Sequence, residues 1–459
     1  MAAFGIEPGE MGPSLPTTDE DRLGVVDLLR GVALTGILFM NVFGFAMAPH
    51  SSEVFRSNPA TLDFWVLAAN SILLEGKMRA LFGMVFGAGV FLFVRNKALS
   101  GWRLHALTGR RMGLLVVFGL LHAYLLLWWW DILYVYGICG ALVYLLRNLP
   151  PRWLLAAIPL VAVLDFTGTQ SFYASIRTKR LAYVEAVASQ ARGAALTTTQ
   201  TAALAAWQEL QRTMMPDKAQ AVEITRKMRG RYAEVASWAR PKAWRAETQF
   251  LLMEIPDSVA LMLFGLAMLK LGFLAGTWEL ATYRRLALLG YGLGLPLAAG
   301  SFAYNVTVAP TFEASLAFME RTPVDWISLV YPFQRLLLVL GHASLLVLLY
   351  RSGRLAALTA RFRAVGQMAF TNYISQTVIS TLTFFGYGLG LYGKLAFWQT
   401  QVFALAVGAM ALVWSPWWLA RFRFGPLEWL WRSLTYLRWQ PMRRPSVPLD
   451  DLAGAAEGN

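Results

Sequence analysis

Apolar runs about twenty residues long recur from residue 24 to residue 420, and nothing else in the chain constrains its fold as much. Lipid cannot satisfy a bare backbone, so only helices and closed barrels cross it, and a helix needs about 20 mostly apolar residues to do so. The runs have helical length, and short alternating segments of the barrel type are absent from the sequence. Of 459 residues, 57% are hydrophobic and 15% charged, against about 25% charged in an ordinary soluble domain. The mean hydropathy is +0.47. The expectation is an all-α, polytopic transmembrane helix bundle with a helical extramembrane insertion.

Ten spans fit best, near 24–47, 76–95, 113–130, 131–147, 152–167, 255–274, 286–305, 326–350, 366–386 and 398–420. The apolar stretch 61–74 reads as interfacial or re-entrant, and counting it gives the alternative of eleven. The chain then divides into a cytoplasmic N-terminal segment (1–23), a membrane half of about five spans (24–167), the insertion (168–250), a second membrane half (255–436) and a cytoplasmic tail (437–459).

The net charge of +14 sits largely in short connections between apolar runs, at Arg95–Arg111, Arg147–Arg152, Arg284–Arg285, Arg351–Arg363 and beyond residue 420. With ten spans and both termini in the cytoplasm, all of these fall on one side, which is the positive-inside pattern. Anionic lipids of a bacterial inner (plasma) membrane are therefore the expected partners, and nucleic acid is not. Residues 1–23 are acidic and lack the basic start of a signal peptide, so the first run is expected to stay as an anchor. The single cysteine, Cys139, gives no disulfide, metal or redox motif. The insertion would be external. Its segments carry apolar residues at helical spacing, as either an amphipathic cap on lipid headgroups or a lid over an external substrate entrance.

Polar side chains inside spans are the functional candidates, because lipid penalises them. Asp27 and Arg30 share a helix face three apart, as a structural ion pair or as an anion site. Asn41 closes the first span. Lys77 and Arg79 start the second, where the outer interface would let them snorkel, and Gly83 and Gly87 offer close packing. In GLLHAYLLLWWWDILYVYG (119–137) the apolar run is too long for one crossing and reads as a hairpin, with Asp131 at the turn and His122 two turns deeper. Nine helical residues rotate about 900°, so the two would face opposite ways rather than pair. His122 is a packing histidine or a general base. Asp131 orients an acceptor or caps the next helix. Arg335 and His342 lie nearly on one face of the eighth span, and Asn372 and Gln376 on one face of the ninth. By this topology Asp27, Arg30, His342, Asn372 and Gln376 fall in the cytoplasmic third, Arg335 and His122 near the middle, and Asp131 and Lys77 outside. Together they outline a polar track through the bundle. No metal cluster is legible.

Six stretches carry a resemblance: VVDLLRGVALTGILFMN, EGKMRALFGMVFGAG, the His122–Asp131 segment, and GQMAFTNYISQ, FFGYGLGLYG and RFRFGPLEWLWRSLTY toward the C-terminus. With these the chain resembles the YeiB-like family of bacterial inner-membrane proteins, and its C-terminal half resembles the domain of unknown function 418 (DUF418). The family usually has glycine before the aspartate of its DIL motif, where this chain has Trp130. The VVDLLRG start also resembles membrane acetyltransferases that pass an acetyl group from cytosolic acetyl-CoA to a sugar amine across the membrane. That resemblance implies acyl transfer with a histidine as base or acyl carrier. His122 ranks first because the YeiB-like motif contains it. His50, in the external loop after the first span, ranks second. GPLEWLWRSLTY reads either as an amphipathic cytoplasmic helix, with Glu428 and Arg432 pairing, or as a segment whose Arg432 holds the pyrophosphate of an acyl-CoA.

Three readings follow. The first is a transmembrane acyltransferase using an acyl-CoA (acetyl-CoA) donor, no metal, and a small-molecule or lipid/sugar acceptor at the outer face. The second is a transporter or exporter of a small polar solute, although the sequence shows no convincing internal repeat. The third is a scaffold whose polar groups only lock packing. A homodimer is left open.

Overall fold

The computed structural model describes residues 23–95, 97 and 99–444. The expected N-terminal segment up to residue 22 and the tail from 445 lie outside the described residues. Those residues form a helical bundle in which the one β feature is an isolated bridge between Phe422 and Arg443. In chain order the helices are α1 (Gly24–Ala46), α2 (Glu53–Arg56), α3 (Leu62–Leu73), α4 (Lys77–Arg95), α5 (Gly101–Leu125), α6 (Leu133–Leu146), α7 (Pro151–Ala191), α8 (Thr198–Thr213) and α9 (Lys218–Met228). There follow α10 (Tyr232–Thr248), α11 (Leu251–Lys270), α12 (Leu280–Val308), α13 (Phe312–Arg321), α14 (Ile327–Ser352), α15 (Ala356–Gln367), α16 (Ala369–Phe384), α17 (Phe397–Leu419) and α18 (Pro426–Tyr436). By length and apolarity, α1, the α3–α4 stretch, α5, α7, α11, α12, α14 and α17 can each cross a membrane. The shorter α6 and α16 fill positions between them.

Small residues set the helix spacing, as expected where lipid supplies no hydrophobic drive between helices. A Cβ at Gly31 would strike the Phe362 carbonyl, and one at Gly366 the Asp27 carbonyl, so α1 and α15 touch backbone to backbone. Gly87 and Gly265 do the same for α4 and α11, against Met262 and Met84. Of the two glycines read as a packing pair, Gly87 therefore serves a helix contact directly.

Two crossings are broken inside the bundle. The stretch 61–74 does not lie flat at the interface. α3 descends from its start, where Asp63 accepts from the Trp398 amide at 2.7 Å, to a point where Asn70 donates to the Phe39 carbonyl at 2.9 Å. The chain bends at Gly76, with φ +70°, and α4 continues the crossing. Met78 then packs where a Gly36 Cβ would stand, half way along α1. The second break, at Met368, separates α15 from α16.

The insertion begins without a boundary. α7 runs unbroken for 41 residues, well past the expected span end at 167. With α8 and α13 it closes a cap core that includes Ile176, Trp207, Leu210 and Leu316, while α9 and α10 complete the cap by burying Ile224, Met228, Val235 and Ala239 against the bundle. Capping boxes at Thr197 and Asp217 start α8 and α9. Arg180 pairs with Glu320 at 2.7 Å. The apolar faces of α7, α8 and α13 close on one another, so this part of the insertion has a core of its own. The bundle thus has a cap end and, at the opposite end, a tail end where α18 packs on α5. There Trp431 donates to the Arg111 carbonyl at 3.0 Å and Arg110 to the Thr435 carbonyl at 2.9 Å. This packing explains why α5 is helical from residue 101, twelve residues before the expected span.

Candidate functional site

At the tail end a cavity of about 220 Å³ opens between α1, α4, α5, α6, α16 and α18. Three guanidiniums line it: Arg30, Arg111 and Arg432. They lie close enough for the charges of Arg30 and Arg432 to act on Arg111. Arg30 is braced by Asp27 at 2.8 Å, so the expected i,i+3 pair forms and also faces a cavity. Arg111 is sandwiched over the rings of Trp431, at 3.8 Å, and Phe93, at 4.5 Å. Glu428 caps α16 across the helix break, accepting from the Phe370 and Thr371 amides at 2.7 and 3.0 Å and from the Thr371 hydroxyl at 2.5 Å. The farther walls are apolar and aromatic, including Phe82, Phe86, Leu115, Tyr136 and Tyr373. Cations at one end and a ring-lined slot at the other suit an anionic head with a slender arm.

At the cap end two cavities share Met40, Asn41 and Trp130 as a wall. The larger, about 540 Å³, is lined by amides and hydroxyls, including Asn70, Ser301 and Gln334, and by the charged side chains Arg56, Glu75 and Lys77. The smaller, about 310 Å³, is lined by Arg79, Trp129, Asp131, Tyr136, Glu247 and Glu254 among others. Tyr136 is therefore a wall of both this cavity and the tail-end one. Its hydroxyl donates to the Arg79 carbonyl at 3.3 Å.

Beside the cap-end cavities lies an ionic cluster, buried at Arg335 and Asp257 and half-buried at Arg79 and Glu254. Arg335 grips Asp257 with both terminal nitrogens, one at 3.0 Å to Oδ2. Arg79 bridges Asp257 at 3.0 Å and Glu254 at 2.6 Å. Lys77 is not a snorkelling interfacial residue. It is 1% exposed, and its Nζ donates to the Ser71 carbonyl at 2.6 Å. His342 also belongs here rather than beside Asp27, since its Nε2 lies 3.0 Å from the Leu73 carbonyl and its Nδ1 2.8 Å from the Tyr291 hydroxyl. The α3–α4 break explains both contacts, because the last carbonyls of α3 lack helical partners and attract donors.

His122 and Asp131 do pair locally, contrary to the straight-helix argument. α5 stops at Leu125, Leu127 takes φ +60°, and the chain doubles back. Asp131 Oδ1 then lies 2.7 Å from His122 Nδ1, while its Oδ2 accepts from the Tyr134 amide at 2.8 Å and caps α6. His122 Nε2 is 2.9 Å from the Thr377 hydroxyl. Of the Trp triplet, Trp128 and Trp129 are buried and only Trp130 is exposed.

Asp27, Arg30 and Arg432 meet in the tail-end cavity, while Asn41, Lys77, Arg79 and Asp131 line the cap-end pair. His122, His50, Arg335, His342, Asn372 and Gln376 line none of these three. His50 Nδ1 is 2.6 Å from Glu53, and its Nε2 is 2.6 Å from the Pro216 carbonyl, tying the first loop to the cap. Asn372 joins α16 to α17 through Trp414, at 2.8 Å, and Ser415, at 3.0 Å. Sequence reading did not single out Glu254, Asp257, Tyr136, Glu247 or Arg111 as site residues. Two acids three apart around a proline in MEIPDS, opening an apolar run, were the available signal for the first pair.

Residues 268–438, from the end of α11 through α18, match the family described as "Protein of unknown function (DUF418)". Over 437 residues the chain is 29% identical to the uncharacterised protein YxaH of Bacillus subtilis (strain 168), covering 94% of this chain and 98% of that one. Over 426 residues it is 28% identical to the uncharacterised protein YeiB of Escherichia coli (strain K12), covering 90% and 96%. No solved structure matches it.

Proposed function

We propose, from the premise that this chain belongs to the YeiB-like membrane proteins that carry the DUF418 domain, that it is a transmembrane acyltransferase working between the two ends of its bundle. The observation that carries the reading is Tyr136, which walls a cation-lined cavity at the tail end and a carboxylate-lined cavity at the cap end. Two chambers toward opposite ends of the bundle that share one side chain as a wall suit a reaction whose partners arrive from opposite sides.

With the tail end in the cytoplasm, as the basic connections argue, Arg30, Arg111 and Arg432 would hold the phosphates of an acyl-CoA. The aromatic slot formed by Phe82, Phe86 and Phe93 would take its arm, so the residues present fit such a donor. The donor's thioester supplies an activated carbonyl. Asp27 keeps Arg30 aimed, and Glu428 fixes α18 so that Arg432 stays at the cavity. At the cap end, Asn41 and Asp131 would orient a polar acceptor against the ring of Trp130, and Tyr136 would exclude water from the junction. His122 holds Asp131 in place from behind.

Isothermal titration of acetyl-CoA into the purified protein in lipid nanodiscs tests this. Binding is expected, and Arg111→Ala with Arg432→Ala should weaken it about 10- to 100-fold. No binding up to about 1 mM would overturn the reading.

The transporter alternative draws on a different observation, the broken α3–α4 crossing with Lys77 and His342 on freed carbonyls, an arrangement used by transporters at their substrate sites. Solute counterflow in proteoliposomes without a covalent product would favour it.

A further inference from the structure

The last helix of the cap is pinned to the bundle at three points. On α10, Tyr232 donates to the Leu125 carbonyl at 2.8 Å and Arg240 to the Tyr124 carbonyl at 3.1 Å. Lys242 lies over the rings of Trp238, at 4.3 Å, and Trp129, at 5.1 Å. These contacts hold the final turn of α10 against the α5–α6 tip and carry Glu247 into the wall of the smaller cap-end cavity. Glu247 is 8% exposed, and one of its carboxylate oxygens has no hydrogen-bond partner.

Three carboxylates line this cavity, and their situations differ. Asp131 is held on both oxygens, by His122 and the Tyr134 amide. Glu254 is ion-paired to Arg79. A carboxylate so engaged has its oxygens committed to protein partners rather than open to a bound acceptor. Glu247 has the Tyr124 side chain as its hydrogen-bonding neighbour and keeps an unpaired oxygen.

We propose that Glu247, delivered by the insertion, is the catalytic base that takes the acceptor's proton at the cap-end cavity. The inference rests on the acyl-transfer reading. As the acceptor heteroatom bonds to the acyl carbon, its proton moves to Glu247 and the carbon–sulfur bond breaks. The sulfur leaves as thiolate and is protonated to the thiol, and water relieves Glu247 of its proton. Donor and acceptor are the only reactants.

The surroundings suit this task. Burial pushes the Glu247 carboxyl up to about 7, the Tyr124 hydrogen bond pulling it down and the Asp131 charge pushing it further up. A base is most effective when it titrates near the working pH. The other titratable groups facing the cavity are Arg79 from α4, Tyr136 from α6 and Glu254 from α11, and Lys242 stands nearby on α10 itself. From α9, Arg226 pairs with Glu234 at the far end of α10, at 3.6 Å.

The test measures release of CoA thiol from acetyl-CoA by the full-length protein in liposomes, with water or glucosamine as acceptor, from pH 5 to pH 9. The wild type should show a rate rising to a plateau near neutrality. Glu247→Gln should be about 10²- to 10⁴-fold slower and lose that limb, with acetyl-CoA affinity kept and the fold no less stable than wild type. Glu247→Asp, which withdraws the carboxylate by one methylene, should fall between, and Tyr124→Phe should move the limb to higher pH. If Glu247→Gln reacts within about threefold of wild type with the limb unmoved, the role of Glu247 is overturned while acyl transfer stands. If the wild type releases no thiol above protein-free liposomes, the acyl-transfer reading fails, and the role of Glu247 falls with it.

Discussion

Arg335 closes on Asp257 through both terminal nitrogens, and Arg79 reaches the same carboxylate at 3.0 Å, so a single aspartate on α11 ties down arginines from α4 and α14. Buried ion pairs contribute little net stability, but removing one partner strands the other. Asp257→Ala is therefore expected to destabilise the bundle by about 3–5 kcal/mol. Asp257→Leu combined with Arg335→Met should recover much of that. Thermal unfolding of wild type, Asp257→Leu, Arg335→Met and the double variant in one detergent gives the coupling directly.

Gly366 and Gly113 are both helical glycines, yet opposite outcomes are expected on substitution by alanine. A Cβ on Gly366 meets the backbone carbonyl of Asp27, which cannot move without separating α1 from α15. Gly366→Ala should cost about 1–3 kcal/mol or abolish folding. Gly113 has open space around it, and Gly113→Ala should be neutral or stabilise by up to about 1 kcal/mol. Folded yield and thermal midpoint separate the two.

His122 is held at both ring nitrogens, and its Nδ1 answers one oxygen of Asp131. His122→Ala leaves that oxygen buried without a partner and should cost about 1–3 kcal/mol. Thr377→Val, which removes only the Nε2 contact, should cost about 1 kcal/mol. A larger loss for the threonine variant in thermal unfolding would contradict this geometry.

The elevated Glu247 carboxyl also makes a statement about stability. Its folded-state pKa, about 7, lies above the ordinary value of 4.5, so between those values the folded chain holds more protons than the unfolded one. Stability should therefore fall as pH rises through that window and level off above it, by roughly 1–3 kcal/mol. Glu247→Gln removes the dependence. The melting temperature of this variant should match wild type near pH 4.5 and exceed it by a few degrees at pH 8.

Much of this architecture could be read from the chain, and the failures share a cause. Runs of about 20 apolar residues announce crossings, and an arginine as deep as Arg335 had to face inward. What could not be read was where helices stop within a run. LLEGK looks like a membrane surface, yet Gly76 bends there and buries Lys77. The His122–Asp131 stretch looks like one helix, and rotation by 100° per residue then separates two groups that a reversal at Leu127 brings together. The polar stretch after 167 reads as a separate helical insertion, although α7 carries the fifth span straight into it. Among the site residues, Asp27, Arg30 and Arg432 were legible from charge in an apolar context. Tyr136 was not, because a tyrosine in an aromatic-rich run gives no sign that hollows lie on two sides of it.

A bundle hollowed from both faces endangers whatever membrane contains it, since a continuous water thread would short-circuit the ion gradient that the cell maintains there. Tyr136, anchored by its hydroxyl to the Arg79 carbonyl, is a wall that two of these hollows share. The bulk of that ring therefore answers to the bioenergetics of the host as much as to any chemistry beside it.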